Sequence, residues 1–167
     1  MLSAIIAIVV VLLDQISKHF VCLNLKPIGC ISIINGILNF TYVENTGAAF
    51  GILSDNRIVF MVFSVVIIAV LGYIVAIYHG QSKLFDVCLG LIVGGGIGNM
   101  VDRAFLGYVI DFIDFCAFDF WVWVFNVADC AVVVGCILAI LFVVFDKKAS
   151  AMIDKKTETC GENENDK

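Results

Sequence analysis

Two short patterns in the apolar part of this chain pair an amide with a carboxylate three residues later: Asn99 with Asp102, and Asn126 with Asp129. Between them, GYVIDF carries a further carboxylate at Asp111. On a helix, i and i+3 share one face, so each pattern presents both side chains together. Carboxylates that meet in a partly dry site do not both ionise easily, because like charge and lost hydration raise one pKa. Such a pair, holding one proton between them, can take a proton from water while hydrogen-bonding the carbonyl under attack. The acids of the chain also have plainer readings. Asp102 can pair with Arg103 or Lys18, Asp114 and Asp119 read as solvated, and Asp14 reads as a hydrogen-bonding residue of the framework. Asp111 and Asp129 resist those readings. The first lies among residues that press into a membrane surface, and the second heads an apolar helix.

Other chemistries lack their residues. The sequence contains no GxSxG, SxxK or HExxH pattern. The glycine-rich GGGIGN at 94–99 lies inside an apolar run and lacks the Lys-Ser/Thr ending of a phosphate loop. His19 and His79 are far apart and lack ligand spacing, so a metal site is not expected. No basic patch suits nucleic acid. The seven cysteines include no CxxC, and Cys88, Cys130 and Cys136 fall in apolar runs, where cysteine acts as a small hydrophobe.

The elements that position these groups belong to a membrane protein. Of the 167 residues 62% are hydrophobic, and mean hydropathy is +1.06, against roughly 45–50% apolar residues in a soluble domain. A bilayer core of ~30 Å needs about 20 apolar residues per helix. Four spans are predicted, at 2–22, 58–78, 85–105 and 127–146, in one domain covering 1–146. A polar, mixed-charge tail at 147–167 is expected to be disordered in the cytosol. The first span, lacking a basic leader and broken by Asp14, is expected to stay in the mature chain. Lys83, Lys147, Lys148, Lys155 and Lys156 set the short 79–84 loop and both termini in the cytoplasm, although Lys18, Lys26, Arg57 and Arg103 dilute the bias. The long connections 23–57 and 106–126 then lie outside. The first reads as a few short strands, the second as an apolar segment along the membrane surface. In this arrangement Asp14, Lys18, Asn45, Asn99, Asp102, Arg103, Asn126 and Asp129 all gather at one membrane face. Gly90, Gly94 and Gly98, like Ala131, Gly135 and Ala139, recur every four residues, as in closely packed helices.

At these residues the sequence resembles the lipoprotein signal peptidases, also called signal peptidase II. The match is collinear through LDQISK at 13–18, NTGAAFGIL at 45–53, GGGIGNMVDR at 94–103, GYVIDFIDF at 107–115 and FNVAD at 125–129. The resemblance implies an α-helical membrane protein with four transmembrane helices, a small extracytoplasmic β-sheet and an interfacial loop or helix at 106–126. It implies an aspartyl endopeptidase of the bacterial plasma membrane, without metal or cofactor. Such an enzyme removes the signal peptide of diacylglyceryl-modified prolipoproteins, cutting just before the lipidated cysteine. Expected partners are those substrates, membrane lipids and globomycin-type peptide inhibitors, and the chain is expected to be a monomer.

Carried over by position, the resemblance makes Asp111 and Asp129 the catalytic pair, supported by Asp14, Asn45, Asn99, Asp102, Arg103, Asn126 and Ala128. Spacing alone selects Asp102 with Asp129 instead, since both close an NxxD, and Asp102 stands as the alternative to Asp111. The chain departs from the family pattern at Trp123, where proline is frequent, at Gly96, usually alanine, and at Cys130, often serine. A proton-coupled transporter is the rival from another class, but its acids would be strung across the membrane instead of clustering at one face.

Overall fold

Three of the apolar runs form helices in the computed structural model, which describes residues 1–46, 82–117 and 123–145. Helix α1 spans Leu2–Asn24, α2 spans Lys83–Phe105 and α3 spans Val127–Phe145, within two residues of the predicted bounds. The expected span at 58–78, the end of the first long connection, residues 118–122 with Asp119, and the tail at 147–167 lie outside the described residues.

The helices are built inside out relative to those of a water-soluble protein. On α1 the exposed side chains include Ile5, Ile8, Leu12, Ile16 and Phe20, whereas the buried ones are Ser3, Val10, Asp14 and Lys18. A helix that hides its charges and shows its aliphatic side chains is solvated by lipid. α1 and α2, at 23 residues each, are long and apolar enough to cross a membrane. The 19 residues of α3 reach roughly 28 Å at about 1.5 Å per residue, near the ~30 Å core thickness.

Helix α2 packs between α1 and α3, and the recurring glycines make this possible. A Cβ on Gly94 would sit 2.8 Å from the Ala7 carbonyl oxygen of α1, and one on the next residue, Gly95, would run into the Ala128 carbonyl of α3. Adjacent glycines therefore serve opposite neighbours, and the small-residue spacing read from the sequence is used on both sides of α2.

Four strands form one antiparallel sheet in the order β1-β2-β3-β4: β1 (Cys30–Ile34), β2 (Leu38–Asn45), β3 (Val109–Phe115) and β4 (Val124–Phe125). The first two strands meet the expectation for the connection after α1. The segment 106–126 does not behave as expected. Its described part is no surface loop or helix: it supplies the third and fourth strands, with Asp111 opposite Val43 and Ile113 opposite Phe125. The physical reason lies in VIDFIDF, whose β-branched and aromatic residues suit a pleated surface and whose backbone groups must be paired away from water. β2 supplies most of those pairs, and the Ile110 N–H donates to Asp102 Oδ2 at 3.1 Å. The chain reverses from α2 into β3 at Gly107, whose φ of 91° is one that glycine adopts without steric cost.

Candidate active site

The site lies where α2 runs into β3 and β4 runs into α3. Its most tightly determined part is the start of α3. Asn126 stands at the N-cap position: its Oδ1 accepts the Asp129 N–H at 2.9 Å, and its own N–H donates to Asp129 Oδ2 at 3.1 Å. This reciprocal pair is a capping box with Asp in the third helical position, and it satisfies two donors that a helix start otherwise leaves unpaired. A third such donor, the Ala128 N–H, reaches across to Asp14 Oδ1 on α1 at 2.9 Å. Ala128 is fully buried, and an added Cβ on Gly98 would lie 3.3 Å from its own Cβ. A larger side chain at 128 would push α3 off α2.

Asp111 comes from the sheet. Asn45 lies opposite Val109 in β2, one diagonal step from Asp111 on the same face, and its Nδ2 donates to Asp111 Oδ2 at 2.8 Å. Asn126 Nδ2 donates to the other oxygen at 2.6 Å. Asp129 is held in the same way. Asn99 Nδ2 donates to its Oδ1 at 2.7 Å, while Oδ2 takes the Asn126 N–H. Each carboxylate thus has both oxygens engaged by amides, and Asn126 touches both. Asp111 is buried and Asp129 half-buried.

Burial pushes the Asp111 carboxyl up to about 6; the negative charge of Asp129 adds to the rise, while the bonds from Asn45 and Asn126 and the charge of Lys18 oppose it. A carboxyl in that range holds a proton for part of the time near neutral pH, as a general acid must.

Asp102 has a different environment from its sequence twin Asp129. Its Oδ2 accepts Lys18 Nζ at 2.8 Å and the Ile110 N–H, and its Oδ1 accepts Gln15 Nε2 at 2.9 Å. Asp14 shares the same cation at 2.8 Å. Asp14, Lys18 and Asp102 are all buried, and Gln15 adds bonds to Asp14 Oδ2 and the Gly98 carbonyl, each at 3.2 Å. This ionic clamp ties α1 to α2 and, through Ala128, to α3. Arg103, half-buried one residue on, donates from Nη1 to the Asn99 carbonyl at 3.5 Å. Its charge is felt by Asp129, Asp111 and Asp102.

All nine residues singled out in the sequence are therefore brought into one neighbourhood. Asp114 stands apart on β3, where it takes a bond from Thr41 at 2.9 Å. Gln15 was missed. Lys18 was placed at the same membrane face and read as a partner for Asp102, not as a contact of Asn99. The available signal was three polar residues at 14, 15 and 18 inside an apolar span, a costly arrangement unless they share one buried face. The arrangement brings two carboxyls to one shared asparagine, with amides fixing their planes, which is the equipment of acid–base hydrolysis.

Comparison with known proteins points the same way. A family described as signal peptidase (SPase) II matches residues 6–145. A lipoprotein signal peptidase of Caldanaerobacter subterraneus subsp. tengcongensis is 43% identical over 144 residues, 86% of this chain and 97% of the relative. One from Clostridioides difficile is 40% identical over 154 residues, 90% of this chain and 99% of the relative. A solved bacterial membrane enzyme, determined by the in meso method at 1.9 Å resolution, superposes with a TM-score of 0.75 at 34% identity, covering 87% of this chain and 94% of that one.

Proposed function

Since the chain belongs to the signal peptidase II family, whose members are membrane aspartic peptidases that remove signal peptides from prolipoproteins, we propose that Asp111 and Asp129 are its catalytic pair. The observation that carries this reading is Asn126, which donates to Asp111 from its side chain and to Asp129 from its backbone. Asp102, the alternative, is ion-paired with the buried Lys18 cation in the clamp and serves the framework.

In the proposed reaction water lies between the two carboxyls. Asp129, as the carboxylate, takes a proton from water while the protonated carboxyl of Asp111 hydrogen-bonds the scissile carbonyl. The C–O bond forms, the tetrahedral intermediate collapses, and the proton held by Asp129 passes to the departing amine of the lipidated cysteine. Arg103, Asn45 and Asn99 hold the carboxyls and the substrate backbone in register. The substrate is a diacylglyceryl-modified prolipoprotein, entering laterally with its acyl chains still in the bilayer and cut just before the modified cysteine. Globomycin-type peptides would occupy the same place between the two aspartates.

Four spans, with both termini cytoplasmic and the sheet and active site at the extracytoplasmic face of the plasma membrane, complete the proposal, with the chain acting as a monomer. Three lipid-facing helices whose polar residues gather beside the sheet support it. The test is processing of a lipidated precursor in proteoliposomes: Asp111→Asn and Asp129→Asn should each abolish release of the signal peptide at unchanged protein level. Substantial cleavage by either variant removes that residue from the pair.

A further inference from the structure

Helix α1 carries neither proposed catalytic carboxylate, yet one of its side chains is linked to one of them through a single intermediary. Lys18 Nζ lies 2.8 Å from Asp14 Oδ2, 2.8 Å from Asp102 Oδ2 and 3.0 Å from Asn99 Oδ1. An ammonium has three protons and no acceptor, so this buried cation is fully committed: two protons go to the clamp and the third goes to Asn99. That third bond has a consequence for the amide. A group that can only donate must face the Asn99 oxygen, so the Asn99 nitrogen is turned the other way, 2.7 Å from Asp129 Oδ1. The amide orientation follows from chemistry alone.

Asn126 Nδ2 also approaches Asn99 Oδ1, at 3.0 Å, but it gives its shorter bond, 2.6 Å, to Asp111. Its geometry is thus tied to the pair itself and to whatever the pair binds. Lys18 is the donor whose other partners lie outside the reacting groups, anchored by a clamp that spans α1 and α2.

We propose that Lys18 is a positioning residue for the reaction, acting on Asp129 through the amide of Asn99. The inference rests on the reading of Asp111 and Asp129 as the catalytic pair. With Lys18 in place, Asn99 always presents N–H to Asp129 and holds one carboxylate oxygen still, leaving the proton-accepting geometry toward water defined. Without it, Asn99 keeps a single shared donor on its oxygen, and its side chain can rotate or turn its carbonyl toward Asp129.

The experiment measures kcat and KM separately with a diacylglyceryl-cysteine precursor peptide, using full-length enzyme in lipid-containing micelles. Lys18→Met should lower kcat by roughly 10–100-fold, the scale on which outer partners orient reacting ligands, with KM within about twofold, since an interaction used in the chemical step and not in binding moves kcat. In an Asn99→Ala background the same substitution should have almost no further effect, because the two residues act as one unit. Gln15→Leu is the structural control: it removes neighbouring clamp bonds but leaves the Lys18–Asn99 contact, and should lower Tm while kcat stays within about twofold. Should Lys18→Met not purify folded, Lys18→Met/Asp102→Asn removes the carboxylate left without its cation, with Asp102→Asn alone as reference.

Unchanged kcat in the folded Lys18 variant overturns the inference. So does an equal kcat loss in Gln15→Leu, or a loss that persists undiminished in Asn99→Ala. Asp111→Asn and Asp129→Asn are assayed beside them: if both are silent while Lys18→Met is fully active, only the role of Lys18 falls; if either cleaves, the pair falls and takes this inference with it.

Discussion

Asn126 Nδ2 lies 2.6 Å from Asp111 Oδ1, and this bond joins the sheet to the head of α3. The same residue caps that helix. One side chain therefore serves two separable purposes: its oxygen stabilises α3, and its nitrogen holds a carboxylate delivered by a different element.

The two purposes come apart on substitution. Asn126→Ala should lose both, with a stability cost of about 0.5–2 kcal/mol for the cap and loss of activity. Asn126→Ser restores an N-cap oxygen but has no donor long enough for Asp111. Its Tm should recover toward wild type while signal-peptide release stays low. Recovery of both together would mean that the bond to Asp111 is dispensable.

The pH dependence follows from Asp111, which sits at about 6 and is the proton-bearing partner in the proposed reaction. Activity should fall on the alkaline side as that proton is lost. The Asn45 bond favours the charged form of Asp111, so Asn45→Leu should move the alkaline limb of kcat/KM to higher pH. A shift downward would contradict the assigned cause.

The same group leaves a trace in stability. Its folded pKa is raised above the ordinary carboxylate value of 3.8, so between about pH 4 and 6 the folded chain binds more protons than the unfolded one. Stability must then decline as pH rises through that window. Asp111→Asn has no proton to lose. Its Tm relative to wild type, followed by thermal unfolding in detergent, should rise between pH 4 and pH 7. A flat difference would place Asp111 in a better-hydrated state than this structure gives it.

Gly98 tests the helix contacts that support the site. A Cβ there would lie 2.7 Å from Asp14 Oδ2 and 3.3 Å from Ala128 Cβ. Gly98→Ala should therefore cost about 1–3 kcal/mol, the usual range for overpacking, and should depress activity by displacing the start of α3. The measurements are Tm and precursor cleavage. A neutral result would show that Asp14 can move without disturbing Ala128.

Much of this protein was present in its residue order. An apolar run of about 20 residues has one good conformation in lipid, a helix with every backbone group satisfied internally, so the bounds of α1, α2 and α3 could be read nearly to the residue. Burying charges in lipid is costly, so the polar residues that cluster at one end of the three helices, Asp14 and Lys18, Asn99 and Asp102, Asn126 and Asp129, had to meet, and they do.

Spacing could not assign their work. Asn99-x-x-Asp102 and Asn126-x-x-Asp129 are the same pattern, yet one aspartate is locked against Lys18 and the other shares Asn126 with Asp111. The difference lies in which neighbour each helix face meets: Lys18 is 84 residues from Asp102, and Asp111 is 18 residues from Asp129. Asp111 stood out in the sequence, but in a segment expected to lie on the membrane surface. Only pairing with β2, a partner remote in sequence, made it a strand and turned its carboxylate toward Asn45 and Asn126. Local chemistry determines which elements form; non-local pairing determines which acids meet.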